Sequence, residues 1–238
     1  MEDFPVEEDF PDHFKVEVKM YENLINECKE KLEDNLVSII KYGTEGEPNN
    51  ILIVTRQLTF SDLNKLKPII LSFSKKSKVV PILFTESGLK DSNDVFPLEI
   101  LDMIYPHELL YGIDVLNNVK LDKKHVRTQI EFELRSKLIH LRENYIGIKR
   151  PKDLKLLLKS AVPTLMPLLY GLLFMKDIKP ASDLFPLYSD VEKSYNVNME
   201  IFRKIREDTI KKQDLETFIK ELIELLEKLI SIVDKIEF

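Results

Sequence analysis

Apolar residues recur at steps of three and four along most of this chain, and gather into short β-branched runs at a few places in its first half. Met20, Leu24, Ile25, Cys28 and Leu32 share one helical face, so residues 19–34 predict an amphipathic helix. Residues 36–42 and 51–58 are apolar, β-branched runs bounded by turn residues, which predicts two buried strands. Gly43 and Gly46 punctuate the connection between them. Ser61 and Asp62 offer N-caps for a helix to about Phe73 that turns Leu63, Leu66, Ile69, Ile70 and Phe73 inward. Residues 79–84 predict a third strand, residues 85–93 a polar loop, and residues 95–104 a fourth strand. The order helix, strand, strand, helix, strand, strand predicts an α/β or α+β domain with a mixed sheet over residues 16–120.

From Asp122 onward the helical period takes over. Val126, Ile130, Leu134, Leu138, Leu141 and Tyr145 form one stripe, and residues 153–175 predict a second helix interrupted at Pro163 and Pro167. Shorter helices are expected at 180–194 and 197–212. Leu215, Phe218, Leu222, Leu225, Leu229, Ile232 and Ile236 then step through a last helix. Residues 121–238 therefore predict an all-α helical bundle.

Charge changes the picture at the N-terminus. Glu2, Asp3, Glu7, Glu8, Asp9 and Asp12 account for the whole net charge of −6, and Asp-Phe-Pro occurs twice, at residues 3–5 and 9–11. Residues 1–15 read as a flexible acidic tail whose two Asp-Phe-Pro phenylalanines, Phe4 and Phe10, can dock onto a groove of this protein or of a partner. Residues 13–238 are neutral overall, which argues against broad nucleic-acid binding because displacing counterions needs a basic face. Hydrophobic content of 44% beside 32% charged residues is that of a globular protein. The single cysteine excludes an internal disulfide and points to a reducing cytoplasm. No secretory signal is expected at so acidic an N-terminus. The stretch 161–175 is too short and too proline-interrupted for a membrane span, so no membrane partner is expected. The Lys, Glu and Ile content leans toward a heat-adapted source.

The candidate chemistry begins where the first strand ends. Tyr42-Gly43-Thr44 supplies a turn whose backbone can approach a phosphate closely and whose hydroxyl can add a hydrogen bond. A polar loop, Glu45 to Asn50, precedes the second apolar strand. This frame resembles the start of a nucleotidyltransferase domain of the polymerase-β-like and aminoglycoside-type superfamily. Phe96-Pro97-Leu98-Glu99-Ile100-Leu101-Asp102 resembles the strand that holds the third carboxylate of those enzymes, with Glu99 as the positional match. On a strand, Asp102 would face the opposite side. His107-Glu108-Leu109-Leu110-Tyr111-Gly112-Ile113-Asp114 is similar to their Leu-x-Gly-x-Asp turn, and residues 127–135 to the helix that opens their helical domain. The resemblance covers about residues 20–235. It implies a nucleotide in a cleft between the two domains, Gly43, Thr44, Glu47, Asn50, Arg127 and Arg135 as its binding residues, and Glu99 as base.

The departure lies at the metal. Active members open the second strand with Asp-x-Asp, and here Pro48 and Asn50 stand at those positions. Neither side chain offers the anionic oxygen through which Mg²⁺ is held. Three function classes follow: a degenerate nucleotidyltransferase-like protein that binds a nucleotide or regulates a partner, an active transferase that uses Mg²⁺ to move a nucleoside monophosphate, and a dimerisation module built on the 215–236 seam. No metal ligand set is assigned. Arg127, Glu131 and Arg135 fit both an ion-pair ladder and an anion site. His125, Gln129, Phe132, Ser136 and His140 form a neighbouring polar stripe, its histidines too far apart to share a metal.

Overall fold

In the computed structural model, residues 12–43 and 49–237 are described. They form a mainly helical α+β protein with one four-stranded mixed sheet, in two compact units. The units interleave along the chain. The first holds the described parts of Met1–Tyr42, Pro48–Lys90 and His107–Asn117; the second holds those of Gly43–Glu47, Asp91–Pro106 and Asn118–Phe238.

In the sheet unit, β1 (Leu36–Tyr42) runs antiparallel to both β2 (Asn50–Thr55) and β4 (His107–Gly112). β3 (Ile82–Thr85) lies parallel to β2, giving the order β3-β2-β1-β4. Ile39, Ile40 and residues 51–54 are fully buried, so β1 and β2 are central strands covered on both faces. That is why they read as continuous apolar runs. Helix α1 (Asp12–Leu32) begins earlier than its apolar stripe, inside the stretch expected to be tail; residues 1–11 lie outside the described residues. Leu24, Cys28 and Leu32 of α1 pack with Ile39, Ile51 and Ile53, together with Leu66, Ile69 and Phe73 of α2 (Phe60–Ser77). The cap of α2 is Thr59 and not the expected Ser61 or Asp62. Its hydroxyl accepts from the Asp62 N–H at 3.2 Å, and the Asp62 carboxylate accepts from the Thr59 N–H at 2.9 Å. Gly112 ends β4 at φ +85°, with the Val37 carbonyl oxygen 2.0 Å from where a Cβ would stand.

Two expectations fail here. The polar stretch 85–93 contains α3 (Glu86–Asp91), with the Thr85 hydroxyl accepting from the Gly88 N–H at 2.9 Å. Residues 95–104 contain no strand; residues 97–104 form α4 (Pro97–Ile104), and the fourth strand comes later as β4. Pro97 occupies the first helical turn, where its missing N–H costs nothing, and the polar pair Glu99 and Asp102 is spaced by three, a helical interval. Glu99 and Asp102 thus share a side of one helix.

The second unit is a helical bundle: α4, α5 (Lys123–Gly147), α6 (Pro151–Ala161), α7 (Met166–Met175), α8 (Leu184–Tyr195), α9 (Glu200–Arg206) and α10 (Leu215–Val233). The apolar helix α7 is central, with residues 168–173 all buried. The apolar stretch between Lys152 and Met175 is half buried and belongs in part to this core. Val126, Ile130, Leu134, Leu138 and Leu141 of α5 are buried as expected. The seam of α10 faces the core: Leu215, Phe218, Leu222, Leu225 and Leu229 are all buried, and Ile232 and Ile236 partly so. Exposed apolar side chains of this unit lie elsewhere, including Phe132, Ile139 and Ile146 on α5 and Leu156 on α6.

Candidate functional site

At one end of the sheet, three strands bring polar groups level. Tyr42 at the end of β1 is in register with Asn50 at the start of β2 and with His107 at the start of β4. The neighbouring Lys41 bonds Glu108 at 2.8 Å, and its ammonium lies 5.7 Å from the centre of the Tyr21 ring. Burial, with a further contribution from the Glu17 carboxylate, pushes the Tyr21 phenol up to about 12. His107 Nε2 lies 3.0 Å from Asp114 Oδ2, and the other oxygen of Asp114 accepts from the Leu116 and Asn117 N–H groups. This carboxylate therefore holds the turn after β4 and the imidazole at its start.

The helical unit carries a second constellation. Gly43, at φ 121°, donates its N–H to the Pro106 carbonyl at 3.1 Å. On α4, the Leu98 N–H, one of the helix-start donors without an intrahelical acceptor, reaches Gln129 Oε1 of α5 at 2.8 Å. The same amide donates to Glu99 Oε2 at 2.7 Å. Asp102, one turn further along, is partly buried and has no hydrogen bond or salt bridge among the described residues. Burial first, and the Glu99 carboxylate second, push Asp102 up to about 6. The turn of α4 thus pairs a hydrogen-bonded carboxylate with one that holds its proton to near neutrality.

Arg127, Glu131 and Arg135 form a continuous ladder on α5. Arg127 Nη1 lies 2.9 Å from Glu131, Arg135 Nε 3.2 Å from the same carboxylate, and Arg135 Nη2 grips both oxygens of Asp234 at 2.9 and 2.8 Å. Hydrogen bonds to Asp234 and Glu131 hold the Arg135 guanidinium above its usual range. The buried Arg127 Nε has no hydrogen-bond partner among the described residues.

Of the residues singled out in the sequence, Asn50 belongs to the sheet end, while Glu99, Arg127 and Arg135 belong to the helical unit with Gly43. Thr44 and Glu47 lie outside the described residues, as does Pro48. Asp102 was visible in the sequence but assigned to the far side of a strand; the three-residue spacing from Glu99 was the signal. Gln129 proves to be the bridge between α4 and α5, and His107 has Asp114 seven residues on. Among the described residues no group of three or more His, Cys, Asp or Glu side chains is placed to hold a metal ion. No protein-family model matches this chain, and no curated protein matches it.

Proposed function

We propose that this protein is a nucleotidyltransferase-like protein that has lost its catalytic metal site and acts as a nucleotide-binding or regulatory protein. The observation that carries the reading is the start of β2. Asn50 opens that strand opposite Tyr42, where the resembled enzymes set a carboxylate for the cation. An antiparallel β1–β2 hairpin, followed by α2 and a parallel β3, supports the same frame. An amide can accept a hydrogen bond from a ligand but does not neutralise a triphosphate–metal centre. The Gly43 turn remains suited to close approach of a phosphate.

The second reading, an active transferase, draws on one observation: the α4 pair in which Glu99 is hydrogen-bonded and Asp102 retains its proton to about pH 6. Incubation of the purified chain with each α-³²P-labelled nucleoside triphosphate and Mg²⁺ or Mn²⁺ separates the two. Absence of labelled adduct and of pyrophosphate, together with retained nucleotide binding, supports the degenerate reading. Metal-dependent pyrophosphate release overturns it.

A further inference from the structure

Helix α2 buries one face in the core of the sheet unit and leaves the other to solvent. Leu66, Ile69 and Phe73 form the buried face. Phe60, Leu63, Lys67, Leu71 and Lys75 follow one another in steps of three and four on the outward one, and all five are exposed. A helix on a globular core ordinarily turns polar residues outward. This stripe is mixed instead: Phe60 is 77% exposed and Leu71 54%, and Lys67 and Lys75 alternate with them. The chain after α2 adds Lys78 and Val80, the latter 70% exposed. Residues 60–78 hold Lys65, Lys67, Lys75, Lys76 and Lys78 against the single acid Asp62. Asp62 is already engaged by the Thr59 N–H at 2.9 Å and the Thr59 hydroxyl at 2.6 Å, with Lys65 at 3.7 Å. Lys67, Lys75, Lys76 and Lys78 are exposed and join no salt bridge among the described residues. Every residue of this face belongs to the sheet unit.

We infer that the outward face of α2 rests on an anionic lipid surface, the helix lying in the membrane plane. Charge complementarity selects that partner: four unpaired lysines on one helix and the turn after it meet the negative potential of acidic headgroups, which attract such clusters. The apolar side chains supply what charge alone does not. Phe60, Leu63, Leu71 and Val80 enter the boundary between headgroups and acyl chains, while the lysine stems lie along them and keep their ammonium groups among the phosphates. Other acidic partners fit this face less well. Contact surfaces between proteins are depleted of lysine. Nucleic acids are held through arginine and stacked rings, and residues 60–80 hold no arginine and expose one ring, Phe60. The expectation of no membrane partner rests on the lack of a spanning stretch, which bears on crossing a bilayer and not on lying against one.

The test is co-sedimentation of the full chain with phosphatidylcholine vesicles made with and without about 30% phosphatidylserine. Vesicle affinity is expected to rise at least about fivefold with the anionic lipid, and to fall back as salt screens the lysines. Lys75→Glu/Lys76→Glu and Phe60→Ser/Leu71→Ser should each lower it at least about fivefold; all four positions are exposed, so the core stays intact. Lys149→Glu/Lys152→Glu, the same change of charge at exposed positions of the helical unit, should leave it unchanged. Equal affinity for both vesicles, binding to neither, or a loss that the Lys149/Lys152 pair shares in full overturns the inference. Retention on a single-stranded oligonucleotide without binding to the phosphatidylserine vesicles overturns it in favour of a nucleic-acid partner.

Discussion

Gln129 and Glu99 are joined at 2.7 Å, amide nitrogen to carboxylate, while the amide oxygen of Gln129 accepts the Leu98 N–H at 2.8 Å. One side chain of α5 thereby satisfies an open donor at the start of α4 and fixes the direction of its carboxylate. Gln129→Leu is expected to lower stability by about 1–2 kcal/mol, because it leaves a helix-start N–H without its partner. Urea unfolding followed by circular dichroism measures this. A midpoint equal to that of the unmodified chain would show the bridge to be incidental.

Asp102 gives a pH signature of definite sign. Its folded value, about 6, lies above its ordinary 3.8, so the folded protein binds this proton more tightly than the unfolded chain does. The stabilisation is complete below about pH 4 and is lost as pH rises to about 6, amounting to at most about 3 kcal/mol. Asp62, Asp153 and Asp208 are held below their usual range by hydrogen bonds and act in the opposite sense. The difference between the unmodified chain and Asp102→Asn isolates the effect. Asp102→Asn should gain stability over the unmodified chain between pH 4 and 6, read from unfolding midpoints at successive pH values, with no further change above pH 7.

Gly112→Ala should be strongly destabilising. A Cβ there would stand 2.0 Å from the Val37 carbonyl oxygen, at φ +85°, and β1 would have to separate from β4. A loss of about 2 kcal/mol or more in thermal or urea unfolding is expected; a loss below about 0.5 kcal/mol would mean that the strand end relaxes freely.

Arg135 is engaged at both ends, by Glu131 and by Asp234, on an exposed surface. Arg135→Ala is expected to leave the unfolding midpoint almost unchanged, the more so in high salt, and to leave nucleotide affinity unchanged. A clear loss of affinity in calorimetry would place Arg135 at the ligand instead of in the ion-pair ladder alone.

Cys28 is fully buried among the sheet-facing residues of α1 and α2, and burial pushes its thiol up to about 12. Ellman's reagent should leave it unmodified in the native protein and react stoichiometrically once urea unfolds the chain. Rapid native reaction would contradict the packing of α1.

The central strands were legible because their burial on both faces writes an unbroken apolar run, and β1 was located to the residue. The long helices were equally plain from stripes such as Val126 to Leu141. Residues 95–104 were not, since Leu98, Ile100, Leu101 and Met103 are apolar enough for either element, and only Pro97 and the Glu99–Asp102 interval speak for a helix. That expectation set the candidate base on a strand instead of a helix and put Asp102 on the opposite side from Glu99. Gln129 and Asp234 were beyond reach for a different reason: their partners are 30 and 99 residues away in sequence, and periodicity carries no information on such pairs.

The central claim is that this protein has a nucleotide site, as proposed above, and that the site needs no cation. Isothermal calorimetry of the full chain with each nucleoside triphosphate, with EDTA and then with Mg²⁺ or Mn²⁺, addresses it directly. The account predicts saturable binding of at least one nucleotide whose affinity is unchanged by the metal. Binding that vanishes in EDTA and returns with Mg²⁺, or no binding under any condition, would contradict it.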